Sequence, residues 1–466
     1  MLGSQSVAHF GANITRAVRS YFTGGITVEG QLEKLKLSRD DLIKEMELIT
    51  ADMENGLSGD EETRRKSSVP MLITFVRNTP TGAETGDFLA LDLGGTNFRV
   101  LLIHIEPDQI TMDSRVMPMS KELMTSDAET LFDYIADCII SFVKEKNVQD
   151  KVLPLGFTFS FPVKMLSLTS GILIKWTKGF TATGVENQDV VVLLKEALDR
   201  KKEYSINIVG LVNDTTGTLM SCGWEDQDVT IGLILGTGTN ACYMESLENV
   251  GKWTGQIDEP KQVIINTEWG AFGDNGSLDW VRSEYDKQVD ENSLNPGQQI
   301  FEKMISGMYL GEIVRLVCVH LTSKGLLFGG VCTEKLGKRE EFLTKFVSDV
   351  ESGNRERTLK VLEDLGYTQP SDGDIEVLKQ ICQVMSERAA CLAAAGLAAI
   401  VKKIGRSHCT IAVDGSLFKK HPKFKTYMES TLGELLPGKH IKLMLSEDGS
   451  GKGAALVAAV ACQKHN

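Results

Sequence analysis

Asp92 sits near the end of an almost unbroken apolar run (Phe88, Leu89, Ala90, Leu91, Leu93) and is followed by Gly94, Gly95, Thr96 and Asn97. Arg99 then falls within a second run that includes Phe98, Val100, Leu101, Leu102, Ile103 and Ile105. Such runs read as strands buried on both faces, and the residues between them are turn formers. A tight glycine hairpin exposes backbone N–H groups with no Cβ in the way, a concavity that suits a phosphate. Asp92 could hold a metal ion beside that phosphate, through water, and Arg99 could add a charged fork. The competing reading is a surface hairpin with a buried, paired Asp.

Residues 231–244, IGLILGTGTNACYM, repeat the plan: an apolar strand, a turn at Gly236, Thr237 and Gly238 closed by Thr239 and Asn240, and a second strand. Two half-similar hairpins predict two related subdomains facing each other across a nucleotide. The match of Gly236, Gly238 and Ala241 to a dinucleotide fingerprint is rejected, because that motif needs a helix next and the sequence alternates like a strand. GSGKGA at 449–454 fails the P-loop pattern at Ser446 and Gly453. It reads instead as the glycine-rich start of a last helix whose N-terminus faces the nucleotide.

Asn213 and Asp214 close the apolar run INIVGLV. An acid at that place is either a general base that accepts a hydroxyl proton or part of an Asx turn or helix cap. Glu268 and Glu302 stand among apolar neighbours, with the amides Asn240 and Gln299 in the same half of the chain. Carboxylates beside amides suit a polyol, whose hydroxyls pair with them two at a time; buried salt bridging is the alternative. Lys178, in WTKG, is placed either to stabilise a transferring phosphoryl group or simply in solvent. Trp176 and Trp269 read as core residues. Asp414, Gly415 and Ser416 mark another strand end, either a ligand edge or an ordinary turn. Together the motifs describe ATP-dependent phosphoryl transfer to a sugar hydroxyl.

The elements that must position these residues alternate strands with helices, the pattern of an α/β protein. Ser38 and Asp41 form a capping box ahead of Leu42, Ile43, Met46, Ile49 and Met53 at helical spacing. Strands are expected at MLITFV, near 111–119, at 152–162, at INIVGLV, at VIINTEWGAFG, at CTIAVDGSL and at IKLMLSED. Helices are expected at 128–144, 190–201, 297–321, 344–350 and 375–404, the last ended by Gly405, with a polar stretch at 351–375. A last helix covers GKGAALVAAVACQ.

With 466 residues and 42% hydrophobic content the chain can bury two or three cores. A net charge of -13 argues against general binding to nucleic acid or anionic membrane. Nine cysteines without a C-x-x-C pair read as reduced core thiols of a cytosolic protein. The longest apolar run, 389–401, falls short of the ~20 residues that span a bilayer. Residues 1 to about 26 carry Arg16 and Arg19 and no acid. They read as either a targeting tail or a plain N-terminal helix, and the sequon at Asn13 reads as chance.

LDLGGTNFRV, LGFTFSFP, WTKGF, LVNDTTGTL, LGTGTNACY, INTEWGAFG, NPGQQIFEKMISGMYLGE, VDGSLFKKHP and LSEDGSGKGAA resemble the hexokinase family, in the family's order, from about Asp41 to the C-terminus. The resemblance implies an actin-like ATPase (ribonuclease H-like) two-domain α/β fold with a central cleft that closes on glucose. It implies phosphorylation of D-glucose and related hexoses at the 6-hydroxyl with ATP and Mg2+, giving ADP and entering glycolysis. Asp214 matches the catalytic base and Lys178 the phosphoryl-stabilising cation. Ser160, Thr177, Lys178, Asn213, Asp214, Asn240, Glu268, Gln299 and Glu302 match sugar-binding positions. Asp92, Gly94, Gly95, Thr96, Asn97, Arg99 and Thr237 match phosphate loops; Thr344, Ser348, Gly415 and Ser416 fall where the family holds the rest of ATP. The implied division is discontinuous: 76–215 plus 447–466 as a small domain, and 1–75 plus 216–446 as a large one. One copy of the motif set resembles the single-unit form. A cytosolic monomer is expected, without a transmembrane segment or nucleic-acid partner; association with the mitochondrial surface is the alternative, although residues 1 to about 26 do not resemble the hydrophobic mitochondrial anchor of some family members.

Overall fold

The computed structural model describes residues 26–94, 97–107 and 109–463. The N-terminal tail, the sequon and the turn residues Gly95 and Thr96 lie outside these.

Thirteen strands, β1 (Leu72–Ile73), β2 (Gly86–Leu93), β3 (Asn97–Glu106), β4 (Gln109–Pro118), β5 (Pro154–Phe159), β6 (Val163–Ser167), β7 (Ser170–Leu173), β8 (Asn207–Val212), β9 (Val229–Leu235), β10 (Thr239–Ser246), β11 (Gln262–Asn266), β12 (His408–Asp414) and β13 (His440–Leu445), are found among the described residues. They form two mixed sheets and a small ribbon, β6–β7. The first sheet runs β4-β3-β2-β5-β8; the second runs β1-β11-β10-β9-β12-β13. Apart from β1 the two are the same design. A hairpin, β2–β3 or β9–β10, is extended by an antiparallel third strand, and two further strands join the first hairpin strand in parallel. The half-similar hairpins seen in the sequence are therefore the same piece of two topologically equivalent sheets, as the actin-like ATPase architecture requires.

In an open sheet, ligands gather beyond the carboxyl ends of the parallel strands. Here those ends carry Asp92, Ser160 and Asn213–Asp214 on the first sheet, and the 236–238 turn, Gly415–Ser416 and the 446–449 segment on the second. The helix Asp214–Gly223 leaves β8 but packs on β9, β10 and β12; the helix Gly449–Gln463 leaves β13 but packs on β2, β5 and β8. Each sheet is thus covered by the helix that continues the other. The two helices touch backbone to backbone: a Cβ on Gly453 would lie 2.0 Å from the Gly217 carbonyl oxygen, and one on Gly217 would lie 3.0 Å from that of Gly449. Around them a core of Leu219, Met220, Ala454, Leu456 and Val457 fills the space between the sheets.

The largest core lies on the far side of the second sheet, centred on the helix Asp372–Ile404. Ser371 and Asp374 form its capping box, and Gly405 ends it in the left-handed conformation (φ 77°). This helix is long and apolar enough to cross a membrane, yet 83% of its most apolar window is buried inside the protein, so here it is a core helix. The helix Arg39–Leu57, with the Ser38–Asp41 capping box, packs beside it.

The structure corrects the expected elements at several points. NTEWG leaves the sheet: β11 ends at Asn266, Glu268 takes a left-handed backbone (φ 53°), and a single 3-10 turn, Trp269–Ala271, follows. The helical stretches expected over 297–321 are Ile300–Ile305 and Gly307–Ser323, parted at an extended Ser306. The polar stretch after 351 contains the helix Arg355–Asp364, capped by Asn354. Of MLITFV only Leu72 and Ile73 pair, because Met71 and Phe75 have positive φ. The nine cysteines are free, and six of them are buried.

Candidate active site

Asp214 opens the helix Asp214–Gly223. Asn213 is its N-cap, its Oδ1 accepting from the Thr215 N–H at 3.0 Å and the Thr215 hydroxyl at 2.9 Å. Asp214 Oδ1 takes the same N–H at 2.9 Å. Cap and candidate base are therefore neighbours in one turn, so the cap made by Asn213 does not exclude a base at Asp214. Burial raises the Asp214 pKa; Lys178 opposes that, the charge of Asp92 adds to it, and the Ser160 hydroxyl helps hold the carboxylate. Lys178 sits in a left-handed turn (φ 57°) and donates from Nζ to the Ser160 carbonyl at 2.8 Å. Its side chain is exposed, so this hydrogen bond anchors it without removing it from solvent. Thr177 precedes it, its carbonyl accepting from Phe180 N at 3.1 Å. Trp176 is held off the cleft, its Nε1 donating to Ala182 O, in a cluster with Phe161 and Phe180; Trp269 is fully buried.

A cluster of amides and carboxylates lies on the second sheet. Asn240 Nδ2 is 2.8 Å from Asn266 Oδ1, 3.1 Å from Glu268 Oε1 and 3.5 Å from Asn213 Oδ1. Asn266 Nδ2 donates to Glu268 Oε1 at 2.8 Å. Glu302 Oε2 accepts the Thr239 N–H at 2.9 Å. Gly238 and Gly270 are small because Glu302 and Gln299 lie against them: an added Cβ would stand 2.5 Å from Glu302 Oε2 and 2.4 Å from Gln299 Oε1. Burial pushes Glu268 up to about 7, against the Asn266 hydrogen bond and Lys178, and it raises Glu302 too. Neither acid makes a salt bridge with a described residue, and nearby Lys303 pairs with Asp290 instead, so the buried ion-pair alternative has no support. Several acceptors and amide donors converge in one desolvated place, a fit for a polyol.

The first phosphate turn differs from expectation in one respect. Arg99 does not offer an open fork: its Nε and one terminal nitrogen bind Asp92 Oδ2 at 3.1 and 2.6 Å, and the other terminal nitrogen binds Asp448 at 2.6 Å. Burial lowers its pKa, but the two carboxylates more than offset this and raise it. The Ser450 hydroxyl donates to Asp92 Oδ2 at 2.7 Å. That leaves Oδ1 of Asp92 turned toward Gly94, where a Cβ would come within 3.9 Å of it. Among the described residues no group of three or more His, Cys, Asp or Glu could hold a metal. One carboxylate oxygen beside this turn would fit an ion that keeps most of its waters, as Mg2+ does. Gly94 and Asn97 flank the turn.

On the second sheet, exposed Thr237 occupies the turn between β9 and β10, its carbonyl accepting from Met308 N at 3.0 Å. Gly236 packs against Gly415 and Ser416: a Cβ there would lie 3.4 Å from Gly415 Cα. The Thr344 hydroxyl is not free; it donates to Gly307 O at 2.6 Å and accepts from Gly311 N at 2.9 Å. Ser348 follows one turn later on the same face. At the end of that helix the buried Glu351 accepts from Ser386, from His421 Nε2 at 3.2 Å and from Tyr427 at 3.1 Å. This ties the helix bearing Thr344 and Ser348 to the short helix bearing Ser416.

Sequence reasoning misses Asn266, Ser450 and Asp448. Asn266 lies inside the NTEWG string but reads as mid-strand; Ser450 and Asp448 lie in the final glycine-rich stretch, where no spacing rule points at Asp92.

The hexokinase description fits residues 27–224 and 230–460 of this chain. Human Hexokinase-2 is 48% identical over 443 residues, 93% of this chain and 48% of that protein. Human Hexokinase-3 is 48% identical over 444 residues, 94% of this chain and 47% of that one. The chain spans about half the length of the curated relatives it matches. Among solved structures, a hexokinase from Schistosoma mansoni complexed with glucose superposes with a TM-score of 0.86 at 41% identity, covering 95% of this chain and 99% of that one. A second hexokinase crystal structure gives 0.78 at 32%, covering 93% and 98%. With the paired sheets and the cleft constellation already in place, these matches over nearly the whole length mean that the chain belongs to the hexokinase family.

Proposed function

We propose that this chain transfers the γ-phosphoryl group of ATP to the 6-hydroxyl of D-glucose and related hexoses, giving hexose 6-phosphate and ADP at the entry to glycolysis. The observation that carries this reading is the position of Asp214. It stands between the Asn240–Asn266–Glu268 cluster on one side and the Ser160–Lys178–Asp92 group on the other. The glucose bound to the Schistosoma relative supports the choice of sugar.

In this reading the sugar is held by Asn240, Glu268, Gln299 and Glu302 on the side of the second sheet, with Asn213, Ser160 and Thr177 on the side of the first. Asp214 accepts the proton of the 6-hydroxyl as its oxygen attacks phosphorus in line. Lys178 offsets the negative charge on the transferring group. The N-terminal turns of two crossing helices add their partial positive charge. Gly94, Asn97 and Thr237 carry the phosphates; Gly415, Ser416, Thr344 and Ser348 surround the rest of the nucleotide. Mg2+, when bound, neutralises phosphate charge, and Asp92 would hold it through water. The movable bodies are residues 76–215 with 447–466, and 1–75 with 216–446; their approach excludes water as a competing acceptor.

The test is a coupled assay for glucose 6-phosphate with Mg2+ and ATP, over several decades of glucose. Saturable product formation is expected. Hyperbolic saturation below ~1 mM, within the ordinary range for enzymes, distinguishes hexokinase-like use from a sigmoidal millimolar response. No product at any glucose concentration overturns the reading.

A further inference from the structure

The helix Ile300–Ile305, which carries Glu302, has no cap of its own. Its N-cap residue Gln299 is left-handed (φ 58°) and its side chain caps nothing, although the leading N–H groups of a helix need partners. Two find them elsewhere in the chain. Asp274 Oδ2 accepts from Gln299 N at 3.0 Å, and Oδ1 from Ile300 N at 2.9 Å. Asp274 lies just beyond the turn Trp269–Ala271, its own N–H donating to Ala271 O at 3.0 Å. It therefore joins the segment bearing Glu268 to the one bearing Gln299 and Glu302.

A second tie braces the loop that leads into Gln299. Asp290 accepts from Lys303 Nζ at 2.7 Å, Arg282 at 2.8 Å and Gly297 N at 2.9 Å. Lys303 also donates to Asn295 O at 2.7 Å. From across the cleft, Lys175, three residues before Lys178, donates to Gln298 Oε1 at 3.1 Å. Its charge reaches Asp274: burial raises that carboxyl to about 6, opposed by the Ile300 and Gln299 N–H groups and then by Lys303 and Lys175.

We propose that Asp274 is a positioning residue of the sugar site and Lys175 its counterpart on the facing lobe. Asp274 fixes Gln299 and Glu302 from behind. Lys175 engages the same segment from the front, so the approach of the lobes is coupled to the placement of the sugar-binding groups. This rests on the sugar-kinase reading above.

The test uses the full chain with Asp274→Asn, Lys175→Met, Lys175→Arg and the double variant Asp274→Asn/Lys175→Met. Glucose binding is read by intrinsic tryptophan fluorescence, and half-saturation for glucose and for ATP by steady-state kinetics. Asp274→Asn should raise the glucose constant about tenfold, the loss of a charge-assisted hydrogen bond. The ATP constant and kcat should change by less than about threefold, since the anchor touches only the sugar segment. Lys175→Met should raise the glucose constant about threefold, as an exposed contact allows, and Lys175→Arg should restore it. The double variant should match Asp274→Asn, because both residues act on one segment. Full additivity, or parallel loss of glucose affinity, ATP affinity and melting temperature, overturns the inference. If Asp274→Asn does not fold, the exposed Lys175 pair still decides, an unchanged glucose constant in Lys175→Met being the negative result. A wild-type chain that binds no glucose sinks the functional reading itself; one that binds it, with Asp274→Asn binding equally well, sinks only this inference.

Discussion

Replacing Asp214 with Asn isolates the proton acceptor. The change is isosteric, and Asn Oδ1 can still take the Thr215 N–H that Asp214 Oδ1 holds at 2.9 Å. The cap made by Asn213 stays in place, so the helix and its crossing with the last helix are undisturbed. In the proposed mechanism this removes the base that accepts the hydroxyl proton, a contribution of ~100-fold or more, or about 2.7 kcal/mol of barrier at 1.36 kcal/mol per decade. The assay is steady-state glucose 6-phosphate formation at saturating ATP, with glucose binding followed separately by tryptophan fluorescence. The expected result is kcat down by at least ~100-fold with binding kept. The pH profile gives an independent check. The base works only when ionised, so activity falls as pH drops through its pKa, which burial places above the ordinary Asp value. Lys178 pulls that pKa down, so Lys178→Met should move the acid limb to higher pH. An Asp214→Asn enzyme within about tenfold of wild-type kcat would refute the assignment, since that is below the range of general-base effects.

Other perturbations probe the site and its frame. Glu268 has a folded pKa of about 7 against an ordinary 4.5; the unfolded chain releases this proton first, so stability falls as pH rises through that window. Glu268→Gln should therefore raise the apo melting temperature at about pH 8, by roughly 2 °C, with the gain vanishing toward pH 4.5, while glucose affinity falls. Scanning calorimetry at the two pH values decides it, and a lower melting temperature at the higher pH refutes it. Glu351→Ala leaves His421, Ser386 and Tyr427 without their shared acceptor. It should cost about 3 kcal/mol of stability by denaturant titration, and a loss under about 1 kcal/mol would mean that the donors find other partners. Gly453→Ala places a Cβ 2.0 Å from the Gly217 oxygen, with backbone on both sides. Melting temperature and activity should fall together, by about 1–3 kcal/mol in stability, and an unperturbed melt would show that the helices can separate freely.

Much of this site could be read from sequence because its residues sit where elements end. Asp92, Asn213 and Asp414 each close an apolar run, and the glycines after Asp92 and Asp414 and the cap chemistry of Asn213 have a mechanical reason visible in composition alone. Ser38 with Asp41, and Gly405, marked helix ends for the same reason: a local hydrogen bond or a positive φ decides them. The misses are where tertiary contacts overrule local pattern. TEWG alternates like a strand, but Glu268 turns left-handed so that its carboxylate meets Asn240 and Asn266. Within the helical pattern over 297–321 no local signal marks Ser306 as the break, which falls where Gly307 donates to Gly236 O in the turn between β9 and β10. Arg99 looked like an open phosphate fork because Asp448 is 349 positions away in sequence and only the fold brings it to 2.6 Å.

The exchange of covering helices has a mechanical consequence. Each sheet is covered by the helix that extends the other, so a rotation of one sheet against the other would be felt where these helices touch, at Gly217, Gly449 and Gly453. At its closest the contact is backbone on backbone, with Leu219, Met220, Leu456 and Val457 packed around it. It lies within one helical turn of Asp214 and of Ser450, which grips Asp92. Points near an axle travel little while the rims sweep far. In the proposed closure, Asp214 and Asp92 would then keep their spacing as the rims bearing Lys175 and Gln298 meet or part, and opening the cleft would leave the floor of the site assembled.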